Sequence, residues 1–206
     1  MEGTDCRISA GKKSETLNRN SLKNISYQDV NHQVIERCKG GDNRAQYELY
    51  KLYAKAMFNV SMRITNDYAE AEDVLQEAFV SAFKKLHSYK AEASFGSWLK
   101  RIVVNASINA IRKRRSELVP MDERVVGEVP DEEYNDDSEW QVENVRRAIQ
   151  QLPDGYRVVL TLYLLEGFDH GEIAEILGIT ESTSKSQYSR ARKKLLEIMK
   201  APQFVA

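Results

Sequence analysis

Between residues 67 and 86 apolar side chains recur at three- and four-residue steps: Ala71, Leu75, Ala78, Phe79, Ala82, Phe83 and Leu86. They form one stripe on a 3.6-residue period, which predicts an amphipathic helix. Asn66 or Asp67 is placed to cap its start. Residues 46–62, rich in Tyr, Leu and Ala at helical spacing, predict a helix before it. After a short loop over 87–94, residues 95–115 predict a third, with Trp98, Leu99, Ile102 and Val103 turned inward. Helical periodicity begins near Val30 and resumes from 141 to about 200. No stretch shows the sustained alternation of strands, so the expected fold is all-α.

The last quarter of the chain carries the most specific pattern. Ile173, Ala174, Ile176 and Leu177 form the apolar side of a short helix, and Gly178 stops it. Thr180 is a fitting N-cap for a helix starting at Glu181. In that helix Ser184, Tyr188, Ala191 and Leu195 share the inward side. Lys185, Ser186, Ser189 and Arg190 occupy the other side, and Arg192, Lys193 and Lys194 follow. This predicts a helix-turn-helix whose second helix enters a major groove and meets phosphates at its basic end. Read without that context, the same pattern is a helical hairpin with a solvated polar face.

The net charge of −1 does not by itself suggest a nucleic-acid partner, but its distribution does. Residues 100–115 hold six basic side chains and no acid, and residues 182–195 hold five and no acid. Between them, residues 116–140 hold ten acids against Arg124 alone. That stretch, with Pro120, Pro130 and Gly127, has the composition of a linker. Fully extended, its 25 residues reach roughly 80–90 Å. Residues 1–29 are polar and read as a mobile tail. The expected organisation is a helical domain over 30–115, an acidic flexible linker over 116–140 and a helix-turn-helix domain over 141–200.

No apolar run approaches a membrane span, and the N-terminus lacks a signal-peptide core, so the expected compartment is the cytoplasm. Cys6 and Cys38 are the only cysteines and form no C-x-x-C pair. His32, His87 and His170 are scattered, as surface or locally bonded histidines are. No P-loop, nucleophile elbow or metal-ligand spacing is present, so no catalytic set and no metal site are expected.

Three motifs occur in a recognisable order: DVLQEAFVSAF at 73–83, SFGSWLKRIVVNASINAIRKRR at 94–115, and LPDGYRVVLTLYLLEGFDHGEIAEILGITESTSKSQYSRARKKL at 152–195. The chain resembles the extracytoplasmic-function (ECF) sigma factors, the small two-domain members of the sigma-70 family of bacterial RNA polymerase. The resemblance spans about residues 32–198. It implies a promoter-specificity subunit that is not an enzyme. Its partners would be core polymerase, promoter DNA and an anti-sigma factor. Asp73, Gln76 and Glu77 match the face that docks on the polymerase clamp, although from the residues alone they read rather as a solvated acidic face near a helix start. Asn105 and Tyr89 match a pocket for one flipped base of the minus-ten element, with the loop 88–94 selecting the base. Arg112, Lys113, Arg114 and Arg115 match phosphate-holding residues beside that element. Thr183, Lys185, Ser186, Ser189, Arg190, Arg192 and Lys193 fall on the helix that reads the minus-thirty-five element. Trp98 fits either the core or a DNA-melting role.

The chain departs from the family pattern at three positions. Asn109 stands where many members carry Asp, Gln187 where Arg is common, and Ser184 where an aliphatic residue is usual. Ser184 is expected to pack loosely, and Gln187 to exchange a phosphate or guanine contact for one with adenine. The acidic linker fits two roles equally: an RNA mimic in a basic polymerase channel, or a self-repelling tether. Two other readings of the whole chain are a DNA-binding regulator that works without polymerase and a helical protein-interaction adaptor.

Overall fold

The computed structural model describes residues 31–117 and 142–201, with the side chains of 115–117 excepted. The tail, most of the linker and the Arg115 side chain lie outside the described residues. Eight α-helices follow in order: α1 His32–Lys39, α2 Asn43–Thr65, α3 Tyr68–Lys85, α4 Phe95–Glu117, α5 Val142–Gln150, α6 Asp154–Leu160, α7 His170–Leu177 and α8 Glu181–Met199. The described residues contain no strand.

Helix boundaries follow local chemistry. The Asp42 side chain accepts from the amides of Arg44 and Ala45 at 2.8 and 3.3 Å and so starts α2. Asn66 ends α2 at φ +58°, a left-handed conformation that Asn tolerates, and Asp67 caps α3 through the Glu70 amide. Asp169 and Glu172 form a reciprocal capping box at α7. Gly178 (φ +68°) stops α7, and the Thr180 hydroxyl accepts from the Thr183 amide to start α8.

Helices α2, α3 and α4 form the N-terminal bundle. Leu49, Ile64, Leu86, Phe95, Leu99, Val103 and Val104 are fully or almost fully buried in it. The predicted α3 stripe is inward, joined by Val74. Ser107 bonds the Val103 carbonyl and the Ser61 hydroxyl at 2.8 and 3.2 Å, so the polar pair between α2 and α4 is satisfied.

The C-terminal helices pack on this bundle. Val158, Val159, Leu162 and Ile173 belong to the same apolar cluster as the N-terminal core. A second cluster, Ile149, Leu152, Leu160 and Ala191, holds α5, α6 and α8 together. Between α6 and α7 the chain makes one π turn, Thr161–Leu165, in which the Glu166 amide donates to the Thr161 carbonyl at 3.0 Å. Charge patterning alone did not reveal this packing of one helical unit on the other.

Candidate nucleic-acid interface

Helix α8 is fixed by its inward side. Ser184 and Ala191 are fully buried, and Tyr188 and Leu195 are half-buried. That turns Lys185, Ser189, Arg192 and Lys193 to solvent, with Thr183, Ser186 and Arg190 at the margin. Ser186 donates to the Thr183 carbonyl at 3.0 Å, and Lys185 pairs with Glu181 one turn back at 2.7 Å. An exposed pair of this kind is worth about 1 kcal/mol or less, so Lys185 is readily recruited elsewhere.

Ser184 does not pack loosely, contrary to expectation. Its hydroxyl lies 2.9 Å from Nδ1 of His170. The His170 ring stacks on Tyr163 at 4.5 Å and 14°, and meets Tyr188 edge-on at 5.6 Å. A polar replacement on α8 is thus answered by a polar partner on α7. His170 is the locally bonded kind of histidine.

In the N-terminal bundle, Asp73, Gln76 and Glu77 are exposed, one turn apart on α3. They do not line one surface. Asp73 and Glu77 border a groove of about 660 Å³ between α3 and α4, whose other wall holds Ile102, Asn105, Asn109 and Lys113. Gln76 borders a second, shallower depression between α2 and α3, with Tyr50, Phe58 and Tyr68. The aromatic rings on this second surface were not singled out in the sequence. Their exposure, 38 % for Tyr50 and 62 % for Tyr68, depends on how α2 and α3 are rotated.

Tyr89 and Asn105 are not brought into one pocket. Tyr89 is only 6 % exposed. Its hydroxyl donates to the Ala93 carbonyl at 2.7 Å, and its ring packs on Phe95 and Trp98 at 5.6 and 5.4 Å. The ring offers no face to a base, which corrects the stacking role expected of it. It anchors the loop 88–94 from below, where Ala91 is held at φ +57°. Trp98 belongs to the same half-buried aromatic cluster, in keeping with a core role.

Four basic side chains of α4, Lys100, Arg101, Arg112 and Arg114, meet the C-terminal domain. Lys100 and Arg63 both pair with Glu166, whose side chain is 2 % exposed. Arg101 pairs with Glu175 at 2.9 Å, and Arg112 donates to the Leu177 carbonyl at 2.8 Å. Arg114 bridges Glu70 at 3.1 Å and Asp154 at 2.8 Å. Asp154 is also paired with the buried Arg157, which donates to the Leu152 carbonyl at 2.8 Å. Burial pushes the Asp154 carboxyl up, but the hydrogen bonds from Arg114 and Arg157 outweigh it, so its pKa lies below the ordinary value. Glu70, on the same guanidinium, is raised because burial outweighs Arg114. Arg112 and Arg114, read in the sequence as phosphate ligands, are thus engaged inside the chain.

Two families match the chain: Sigma-70 region 2 over residues 49–117 and Sigma-70 region 4 over 143–195. The RNA polymerase sigma-H factor of Pseudomonas aeruginosa is 32 % identical over 181 residues, covering 81 % of this chain and 92 % of the relative. The ECF RNA polymerase sigma factor SigW of Bacillus subtilis is 31 % identical over 173 residues, 78 % of this chain and 92 % of SigW. Among solved structures, CnrH in complex with the cytosolic domain of CnrY superposes with a TM-score of 0.52 at 22 % identity, covering 84 % of this chain and 99 % of that one. RpoE from Bartonella quintana, in complex with the anti-sigma factor NepR, gives 0.52 at 24 % identity, covering 76 % and 97 %. These two superpositions establish the all-helical fold. The two matched regions fall on the two helical units, in the order that the motifs predicted. The chain belongs to the extracytoplasmic-function sigma factors of the sigma-70 family.

Proposed function

We propose that this sigma factor docks on core RNA polymerase through α3, captures the melted minus-ten element with α4 and reads the minus-thirty-five element with α8. The observation that carries the reading is the construction of α8. Its inward side is buried, its start is capped, and its outward side carries Lys185, Ser189, Arg192 and Lys193 with no acid between Glu181 and Glu197. Such a helix supplies both base-edge and phosphate contacts in a major groove. Thr183, Ser186 and Arg190 complete the reading surface.

The α3 ridge supports the docking assignment. Asp73, Gln76 and Glu77 are exposed there, Gln76 beside the rings of Tyr50 and Tyr68 on one flank and the two carboxylates on the other. A ridge with carboxylates on one flank and exposed aromatics on the other suits a basic and apolar partner surface. Asn105, exposed in the α3–α4 groove, is the candidate for reading a base edge, with Arg112, Lys113, Arg114 and Arg115 on the phosphates beside it. Tyr89 acts by holding the loop 88–94. The minus-ten and minus-thirty-five elements lie about two helical turns apart, roughly 70 Å. The two domains must therefore separate on promoter DNA, and the length of the 116–140 segment permits it. An anti-sigma factor is the expected regulatory partner, by analogy with the complexes recorded for the structural relatives.

The test is core binding. A chain carrying Asp73→Lys and Glu77→Lys keeps its helicity and loses affinity for purified core polymerase. Unchanged affinity of the folded double variant rejects the docking face.

A further inference from the structure

In its first turn α8 is held by a directional contact. The inward residue there is Ser184, which has no exposed surface. An aliphatic side chain at such a site is held by the burial of its own area, a force without direction. A serine has little area to bury and a hydroxyl that must find a partner. That partner is Nδ1 of His170, 2.9 Å away on the first residue of α7. His170 is itself fixed. The Asp169 side chain accepts from the Glu172 amide at 2.8 Å, and Glu172 accepts from the Asp169 amide at 2.9 Å, so the backbone at the start of α7 is set. The imidazole lies flat on Tyr163, and the Tyr188 ring closes against both. One side chain of α7 therefore meets α8 at two successive turns, by a hydrogen bond at Ser184 and by its ring at Tyr188.

We propose that His170 is a positioning residue that sets base preference: through Ser184 and Tyr188 it fixes the roll of α8, and so decides which outward side chains of its first turns reach base edges. The inference rests on the reading of α8 as the helix of the minus-thirty-five element. Base-edge contacts in a helix-turn-helix come from the N-terminal turns of the second helix. Here those turns carry Thr183, Lys185, Ser186 and Ser189, the immediate neighbours of Ser184 and Tyr188. Side-chain heads ride about 5–6 Å from a helix axis, so a roll of about 10° moves them by about 1 Å. A hydrogen bond to a base edge tolerates a range of roughly 0.5 Å. Arg192 and Lys193 lie beyond the His170 contacts, in turns held by the buried Ala191 and the half-buried Leu195. Their phosphate contacts carry no sequence information and survive a small roll. His170 thus acts on selectivity more than on affinity, and it does so without touching DNA.

The test is a selection by the holoenzyme, core polymerase carrying the full chain, from promoter duplexes randomised in the minus-thirty-five element, with bound and unbound pools sequenced. Two variants remove the bond and keep the packing. Ser184→Ala drops the hydroxyl, and His170→Phe leaves a ring against Tyr163 and Tyr188. Each should lower discrimination at the same one or two positions about three- to tenfold, the effect of one hydrogen bond. The double variant should lose no more than either single one. His170→Asn, whose side-chain amide both donates and accepts, should bring discrimination back to within about twofold of the parent. Discrimination is a ratio taken within one preparation, so an unfolded fraction cancels from it. A loss spread evenly over all sequences, with base preference unchanged, overturns the proposal. So does a His170→Asn chain that behaves like His170→Phe. A parent holoenzyme that selects no element rejects the reading of α8 on which the inference rests. A parent that selects an element which its variants select equally well rejects the inference alone.

Discussion

Glu166 accepts from Nε of Arg63 at 3.0 Å across 103 positions of sequence, and its side chain is 2 % exposed. This contact ties the turn before the helix-turn-helix to α2 of the N-terminal bundle. Glu166→Ala removes the carboxylate and leaves Arg63 and Lys100, which at 38 % and 31 % exposure rehydrate in part. The expected loss therefore lies between that of a surface pair and that of a buried one, about 1–3 kcal/mol. Glu175→Ala, at an exposed pair, should change stability by less than about 0.5 kcal/mol. Urea unfolding of both variants checks the ranking, and equal losses contradict it.

The Ser184–His170 pair predicts an epistatic signature. Ser184→Val removes the hydroxyl partner of Nδ1 and crowds a site with no exposed surface. His170→Leu alone leaves the serine hydroxyl buried without its partner. The two changes together give an apolar contact in place of a polar one. A double-mutant cycle should show favourable coupling of about 0.5–3 kcal/mol. Additive losses mean that the two side chains do not act as a unit.

Acid should release the bridge at Asp154. Its folded-state pKa is lowered, so its contribution is fully present above the unfolded value of about 3.9 and is lost as pH falls through the folded value. Glu70 has the opposite sign. Its raised pKa makes its charge unfavourable in the folded state, and that penalty is relieved as acid protonates it. Asp154→Asn should therefore lower the urea midpoint at neutral pH and converge with the parent chain in strong acid. A difference that grows with acidity contradicts the assignment.

On the recognition helix, Arg190 and Lys193 should separate two kinds of DNA contact. Arg190→Ala changes base preference at one or two positions, because a guanidinium reads a guanine edge. Lys193→Ala weakens binding to all sequences alike and flattens the salt dependence by about one unit of slope. Binding to a randomised minus-thirty-five library at two salt concentrations distinguishes them. A sequence-dependent effect of Lys193→Ala means that the outward face is rotated from its assignment.

Elements defined by local signals were legible in the sequence. Asp67 and the 71–86 stripe gave α3, and Gly178 with Thr180 gave the turn and the start of α8. What escaped was set by tertiary contact. Tyr89 sits in a loop, where no periodicity tells a buried ring from an exposed one, and Phe95 and Trp98 draw it inward. Tyr50 and Tyr68 carry no sequence signal of their own, and the rotation of α2 and α3 is what exposes them. Ser184 read as a defect because its partner lies fourteen residues earlier, on another helix. The basic run of α4 signalled an anionic partner, but not that Glu166, Glu175 and Asp154 of the same chain would supply it. The acids of 153–177 were the available clue, masked by the apolar helix-turn-helix pattern in which they are set.

As a sigma factor, this chain selects where polymerase begins transcription. The most direct measurement is transcription of genomic DNA in vitro by core polymerase with and without the purified chain, followed by mapping of RNA 5′ ends. The chain should create a new set of start sites preceded by a shared pair of elements about two helical turns apart. A start-site map unchanged from core polymerase alone, with a chain that still binds core, would contradict the account.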